Sequence, residues 1–135
     1  MKTTLAFITL LISLILSPDK FLSADTSSYR VYKIDSINNY YLIYAKANHT
    51  LYKIVSKKEP TASSCKIKTG EKYKFKLHSI WNQDLFINGV NVSPRITPHI
   101  TCLGFDSITS ICIERPLIND LHYADNIRGL FYIKY

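Results

Sequence analysis

Tyr40-Tyr41-Leu42-Ile43-Tyr44-Ala45-Lys46-Ala47-Asn48-His49-Thr50-Leu51-Tyr52-Lys53-Ile54-Val55-Ser56 is the stretch on which the fold class turns. Two runs of aromatic and β-branched residues, types that sit well on a pleated surface, flank the short polar pair Asn48-His49. The pattern predicts an antiparallel hairpin over residues 40–56.

Working outward, residues 29–34 alternate, with Tyr29, Val31 and Lys33 on one side and Arg30, Tyr32 and Ile34 on the other. Residues 35–39 break that run. Past the hairpin, residues 57–64 are polar and include Pro60, which marks a surface loop. A short strand over 65–69, a turn at Gly70-Glu71 and a longer strand over 72–80 are expected next. Asn88-Gly89 between two short apolar pieces signals a tight hairpin turn. Pro94 and Pro98 make 93–98 a loop or edge segment. Residues 99–105 and 109–114 read as two more strands, and 130–135 as a closing one. Leu117, Leu121 and Ala124 share the face of a helix, so one short helix is expected near the C-terminus.

Roughly seven to nine short strands without a long helix define an all-β, mainly antiparallel domain. A small barrel resembling the oligonucleotide/oligosaccharide-binding fold is the preferred geometry, because closure removes open sheet edges. A β-sandwich is the alternative.

The N-terminus has its own logic. Lys2 precedes an apolar run from Thr3 to Leu16, and Pro18, Asp19 and Lys20 then restore polarity. The run is short for a membrane helix, which needs about 20 apolar residues. It has the shape of an export signal, with Ala24 as the expected cleavage position. The reading is therefore a signal peptide over 1–24 and a single β-rich domain over 25–135, secreted or periplasmic, with no stable membrane span once the signal is removed. Without Lys2, Lys20 and Asp19, the 17 basic and 10 acidic residues of the chain become 15 and 9, a net charge of +6. That balance favours anionic surroundings.

An oxidising destination permits disulfides, and the chain carries Cys65, Cys102 and Cys112. Cys102 and Cys112 lie symmetrically about Ser107, so a hairpin turning at 106–108 would set them opposite each other. A bridge from Cys65, or three free thiols, are the other options. Closing so short a loop is worth about 3 kcal/mol. The four histidines are scattered and no Cys-x-x-Cys spacing exists, so neither a metal nor a cofactor is expected.

Lys72, Lys74, Lys76 and His78 alternate with Tyr73, Phe75, Leu77 and Ser79, and Lys66 and Lys68 flank Ile67. A two-residue period puts the cations on one face and the aromatic residues in the core. Tyr44 and Tyr52, among ten tyrosines, are further candidates for that face. Trp81 is expected to plug the core. Asn48-His49-Thr50 fits an N-glycosylation acceptor, as does Asn91-Val92-Ser93 apart from the proline that follows. For catalysis, His78 with Lys76 and Asp84, or His122 with Asp120 and Asp125, could be assembled by sequence proximity alone. There is no nucleophile elbow, His-Glu-x-x-His or phosphate-binding glycine loop. The sequence thus points to an exported, non-catalytic module with a basic, tyrosine-rich face for a protein or an anionic polysaccharide. The export route argues against nucleic acid. A structural envelope domain and a small phosphodiesterase-like enzyme are the alternatives.

Overall fold

The computed structural model describes residues 27–81, 86–91 and 101–135. The expected signal peptide, the proline-bearing loop 93–98, His99, Asp84 and most of the second glycosylation triplet lie outside them. Among the described residues, twelve strands succeed one another: β1 (Tyr29–Ile37), β2 (Tyr40–Ala47), β3 (Thr50–Lys57), β4 (Lys72–Tyr73), β5 (Leu77–Ser79), β6 (Phe86–Ile87), β7 (Val90–Asn91), β8 (Cys102–Gly104), β9 (Ser110–Cys112), β10 (Leu121–Ala124), β11 (Ile127–Arg128) and β12 (Phe131–Tyr132).

β2 and β3 pair from Tyr40 opposite Lys57 down to Ala47 opposite Thr50, which is the hairpin read from the sequence. Asn48 and His49 turn it with φ of 47° and 64°, the left-handed pair that a two-residue hairpin loop requires. Asn88 and Gly89 do the same for β6 and β7, with φ of 51° and 77°.

The main sheet has six strands in the order β4-β1-β2-β3-β10-β5. All its pairs are antiparallel except β3 with β10. Its two outer strands, β4 and β5, are separated in sequence only by residues 74–76. Four residue steps span at most about 14 Å, so the sheet has to curl until its edges nearly meet. The result is an all-β half-barrel, in keeping with the barrel geometry expected.

Apolar residues fill both sides of this curl. Inside lie Val31, Ile43, Ala45, Ile54, Ile67, Tyr73, Phe75, Ala124 and Ile127. On the outer side of β2, β3 and β10, Tyr40, Leu42, Tyr44, Val55 and Leu121 meet Ile111, Ile113 and Ile118 from the chain that crosses over them. β2 is therefore buried almost throughout, since both its faces are covered. In β1 the register shifts between Val31 and Lys33. That bulge turns Ile34 to the inner side with Val31, where strict alternation would have put them on opposite faces.

β8 and β9 form the hairpin that carries the disulfide. Cys102 stands opposite Cys112 and the two are bonded, while Cys65 is free and half-buried. Trp81 is buried, as expected.

Four expectations fail. The helix over 117–124 is replaced by a turn and β10, and there is no helix among the described residues. Leu117 is 71% exposed, and Leu121 and Ala124 enter the two different cores. An eight-residue helix is marginal by itself, and the open edge of β3 offers the same residues a ladder of hydrogen bonds. The strands expected over 65–69 and 72–80 do not pair with each other. Residues 65–67 run beside 130–132 instead, through Ile67 N–H to Leu130 O, Tyr132 N–H to Cys65 O and the bridge Lys66–Phe131. The strand over 72–80 is divided into β4 and β5, since its middle crosses the gap between the sheet edges. The closing strand over 130–135 shrinks to β12, paired with β11.

Gly129 sits at φ 56°, and a β-carbon there would lie 3.0 Å from the Glu59 carbonyl oxygen. Gly129→Ala should therefore cost about 1–2 kcal/mol, measured by urea unfolding; an unchanged midpoint would refute the assignment.

Candidate binding surface

Alternation along the segment that bridges the sheet edges settles where its side chains go. Tyr73, Phe75 and Leu77 face the inner core, the first two with rings stacked at 5.3 Å. Lys72, Lys74, Lys76 and His78 consequently face outward and are exposed. Lys66 and Lys68 are exposed on either side of buried Ile67. Tyr73 ties the two stretches together: its hydroxyl accepts from Lys68 N–H at 2.8 Å and donates to Glu71 Oε2 at 2.9 Å.

Register adds two cations that the sequence reading did not select. Lys72 stands opposite Arg30 in β1, and Arg30 stands opposite Lys46 in β2. Directly opposed residues share a face, and neighbouring strands are about 4.8 Å apart. Lys72, Arg30 and Lys46 thus form a row across three strands, pointing away from Val31, Ala45 and Tyr73. The row turns at Lys72 into the line Lys72, Lys74, Lys76 and His78, giving a continuous outward belt. None of Arg30, Lys46, Lys66, Lys68, Lys72, Lys74 or Lys76 forms an ion pair with a carboxylate among the described residues.

Where the row meets the hairpin turn, the surface dips into an open cleft of about 380 Å³. Ser28, Arg30, Lys46, Ala47, Asn48, His49 and Lys72 line it. Arg30 is braced by Nη1 donating to the Gly70 carbonyl at 2.9 Å.

At the other end of the belt, His78 Nε2 lies 2.7 Å from Asp125 Oδ2 and its ring stacks on Tyr123 at 5.0 Å. Lys76 Nζ lies 4.4 Å above the ring of Tyr135, which is 81% exposed. Tyr123 and Tyr135 are therefore the tyrosines that border the belt. Tyr44 and Tyr52 are elsewhere. Tyr52 meets Tyr29 and His122 edge-on at the inner side of the sheet. Tyr44 is buried, its hydroxyl donating to Glu114 Oε1 at 2.6 Å.

That same Glu114 oxygen accepts from Lys53 Nζ at 2.8 Å, and Lys53 also donates to the Cys112 carbonyl at 2.7 Å. The Lys53 head is thus buried beneath the disulfide hairpin with two acceptors. This arrangement pins the covering chain to the sheet. The Lys53 hydrogen bond, followed by that from Tyr44, holds the Glu114 carboxyl below its ordinary value. Burial, reinforced by Glu114, pushes the Tyr44 phenol up.

His78 and His122 occupy opposite faces of the β5–β10 pair, as their partners Tyr123 and Ser79 show. They do not converge as an acid and base. His122 is held below the usual imidazole value by burial, against the opposing pull of Asp120. No group of three potential metal ligands occurs among the described residues, and no described helix is long and apolar enough to cross a membrane. No protein-family model, curated protein or solved structure matches the chain.

A carboxyl depressed in the folded state stabilises the fold above its unfolded value, and that stabilisation fades as pH falls through the folded value. Urea unfolding from pH 7 to pH 3 should reveal this loss in the wild type and a shallower one in Glu114→Gln. At pH 7 that variant should be less stable by roughly 1–3 kcal/mol, because it leaves buried Lys53 without its counter-ion. Equal stability at pH 7 would count against the pinning role.

Proposed function

We propose that the protein is an exported, non-catalytic module that holds an anionic polysaccharide along the belt from Lys46 to His78. The observation that carries this reading is the run of like charges from Lys46 through Arg30, Lys72 and Lys74 to Lys76, set side by side and none paired with a carboxylate among the described residues. Like charges facing each other across strands destabilise a sheet, and a polyanion laid over them relieves the repulsion. From Lys72 to His78 the belt extends about 20 Å along the chain, the reach of several sugar units. Tyr123 and Tyr135 offer ring faces at its rim, a surface suited to sugar stacking. Ile37 and Ile108, which would suit a protein partner, lie instead at the far end of β1. The apolar N-terminal run supports export, and the Cys102–Cys112 disulfide is compatible with an oxidising compartment.

A salt-gradient elution from a heparin-type column tests the reading. The wild type should be retained, and Lys72→Gln/Lys74→Gln/Lys76→Gln should lower the slope of log affinity against log salt by about 2. Lys57→Gln/Lys58→Gln, at the opposite end of β3, should elute with the wild type. A wild-type protein that passes through unretained at low salt would end the proposal.

A further inference from the structure

We infer that the cleft beside the Asn48-His49 turn is a site for one sulfate or phosphate ester carried on a sugar ring. This rests on the polysaccharide reading and specifies which group of the polymer is gripped. The row Lys72, Arg30 and Lys46 places three cationic residues on adjacent strands, their backbone positions within about 10 Å of one another. Arg30 uses one N–H on Gly70 and keeps the rest of its five-donor fork for a ligand. Ser28, just before β1, and Asn48 and His49 in the turn after β2 add polar side chains.

The donors thus line the open cleft from β4, β1, β2 and the turn. That arrangement fits a tetrahedral group with three outward oxygens. A planar carboxylate has two oxygens, and the guanidinium fork alone would satisfy them. The volume of about 380 Å³ lies at the lower end of small-ligand pockets, which leaves room for a sugar ring as well as its ester. His49 adds a further sign. It adopts φ 64° at the second turn position, where glycine is the unstrained choice. The chain therefore keeps a strained side chain at the rim of the cleft.

The test is an amide chemical-shift titration of the wild-type protein with glucose 6-sulfate, glucose 6-phosphate, glucuronate and glucose. The esters should shift Ser28, Lys46, Asn48, His49 and Lys72, with affinity about tenfold or more above that of glucuronate and no response to glucose. The tighter of the two esters identifies the natural substituent. Arg30→Gln should weaken ester binding by about tenfold, whereas Lys74→Gln/Lys76→Gln should not. His49→Gly should raise the melting temperature yet weaken the ester, a split that a purely structural turn residue would not give. Shifts scattered along the belt, equal binding of glucuronate, or an unaffected Arg30→Gln would each overturn the site. If the wild type is held by the sulfated polymer yet shows none of these shifts, the cleft is refuted and the belt stands. Ester binding in the cleft without polymer retention refutes the belt alone.

Discussion

The two edges of the main sheet are supplied by one short segment, and this closure constraint shapes the rest of the molecule. β4 must pair with β1 and β5 with β10 while only three residues separate them. A flat sheet of six strands would hold its edges about 24 Å apart, beyond the reach of that connection. The curl that results creates an inside, which Val31, Ile43, Ile54 and Ile67 fill, each with almost no solvent contact. It also dictates the outward line of cations, because Tyr73, Phe75 and Leu77 occupy the inner positions and their neighbours are left on the outer side.

The second layer depends on a different device. The outer side of β2 and β3 carries Tyr40, Leu42, Tyr44 and Val55, too much apolar surface to leave in water. The chain from β8 to Ile118 covers it, cross-linked by a disulfide and fastened by Lys53 to a backbone carbonyl and to Glu114. Burying an ammonium is costly, and here its hydrogen bonds and its counter-ion offset that cost. Half of the Glu114 side chain remains in contact with solvent, so the pair is only partly desolvated. The belt lies beyond the rim of this cover, which leaves its lysines open to a ligand.

Much of this was legible in the sequence and some was not, for physical reasons. The hairpin at Asn48-His49, the turn at Asn88-Gly89, the Cys102–Cys112 pairing and the alternation of 72–79 are local, set by turn chemistry and a period of two. The bulge in β1 was hidden because it breaks that period within one strand, although Val31 and Ile34 at odd spacing carried a trace of it. The apparent helix over 117–124 was a coincidence of three apolar positions, overruled by a distant strand edge. Arg30 and Lys46 escaped notice because their closeness to Lys72 is a matter of register between strands far apart in sequence. Tyr44 and Tyr52 looked like surface residues because a strand covered on both faces reads the same as one covered on one.

The parallel contact between β3 and β10 has a consequence for biogenesis. The first three strands are sequence neighbours and can zip together early, since their loops are short. The partner for the outer edge of β3 is β10, about sixty residues further along the chain. Until then the nascent meander exposes Ile54 and Val55 with unpaired backbone groups beside them, a template for intermolecular association. The three-strand meander thus becomes safe from edge-to-edge association only when β10 docks on β3.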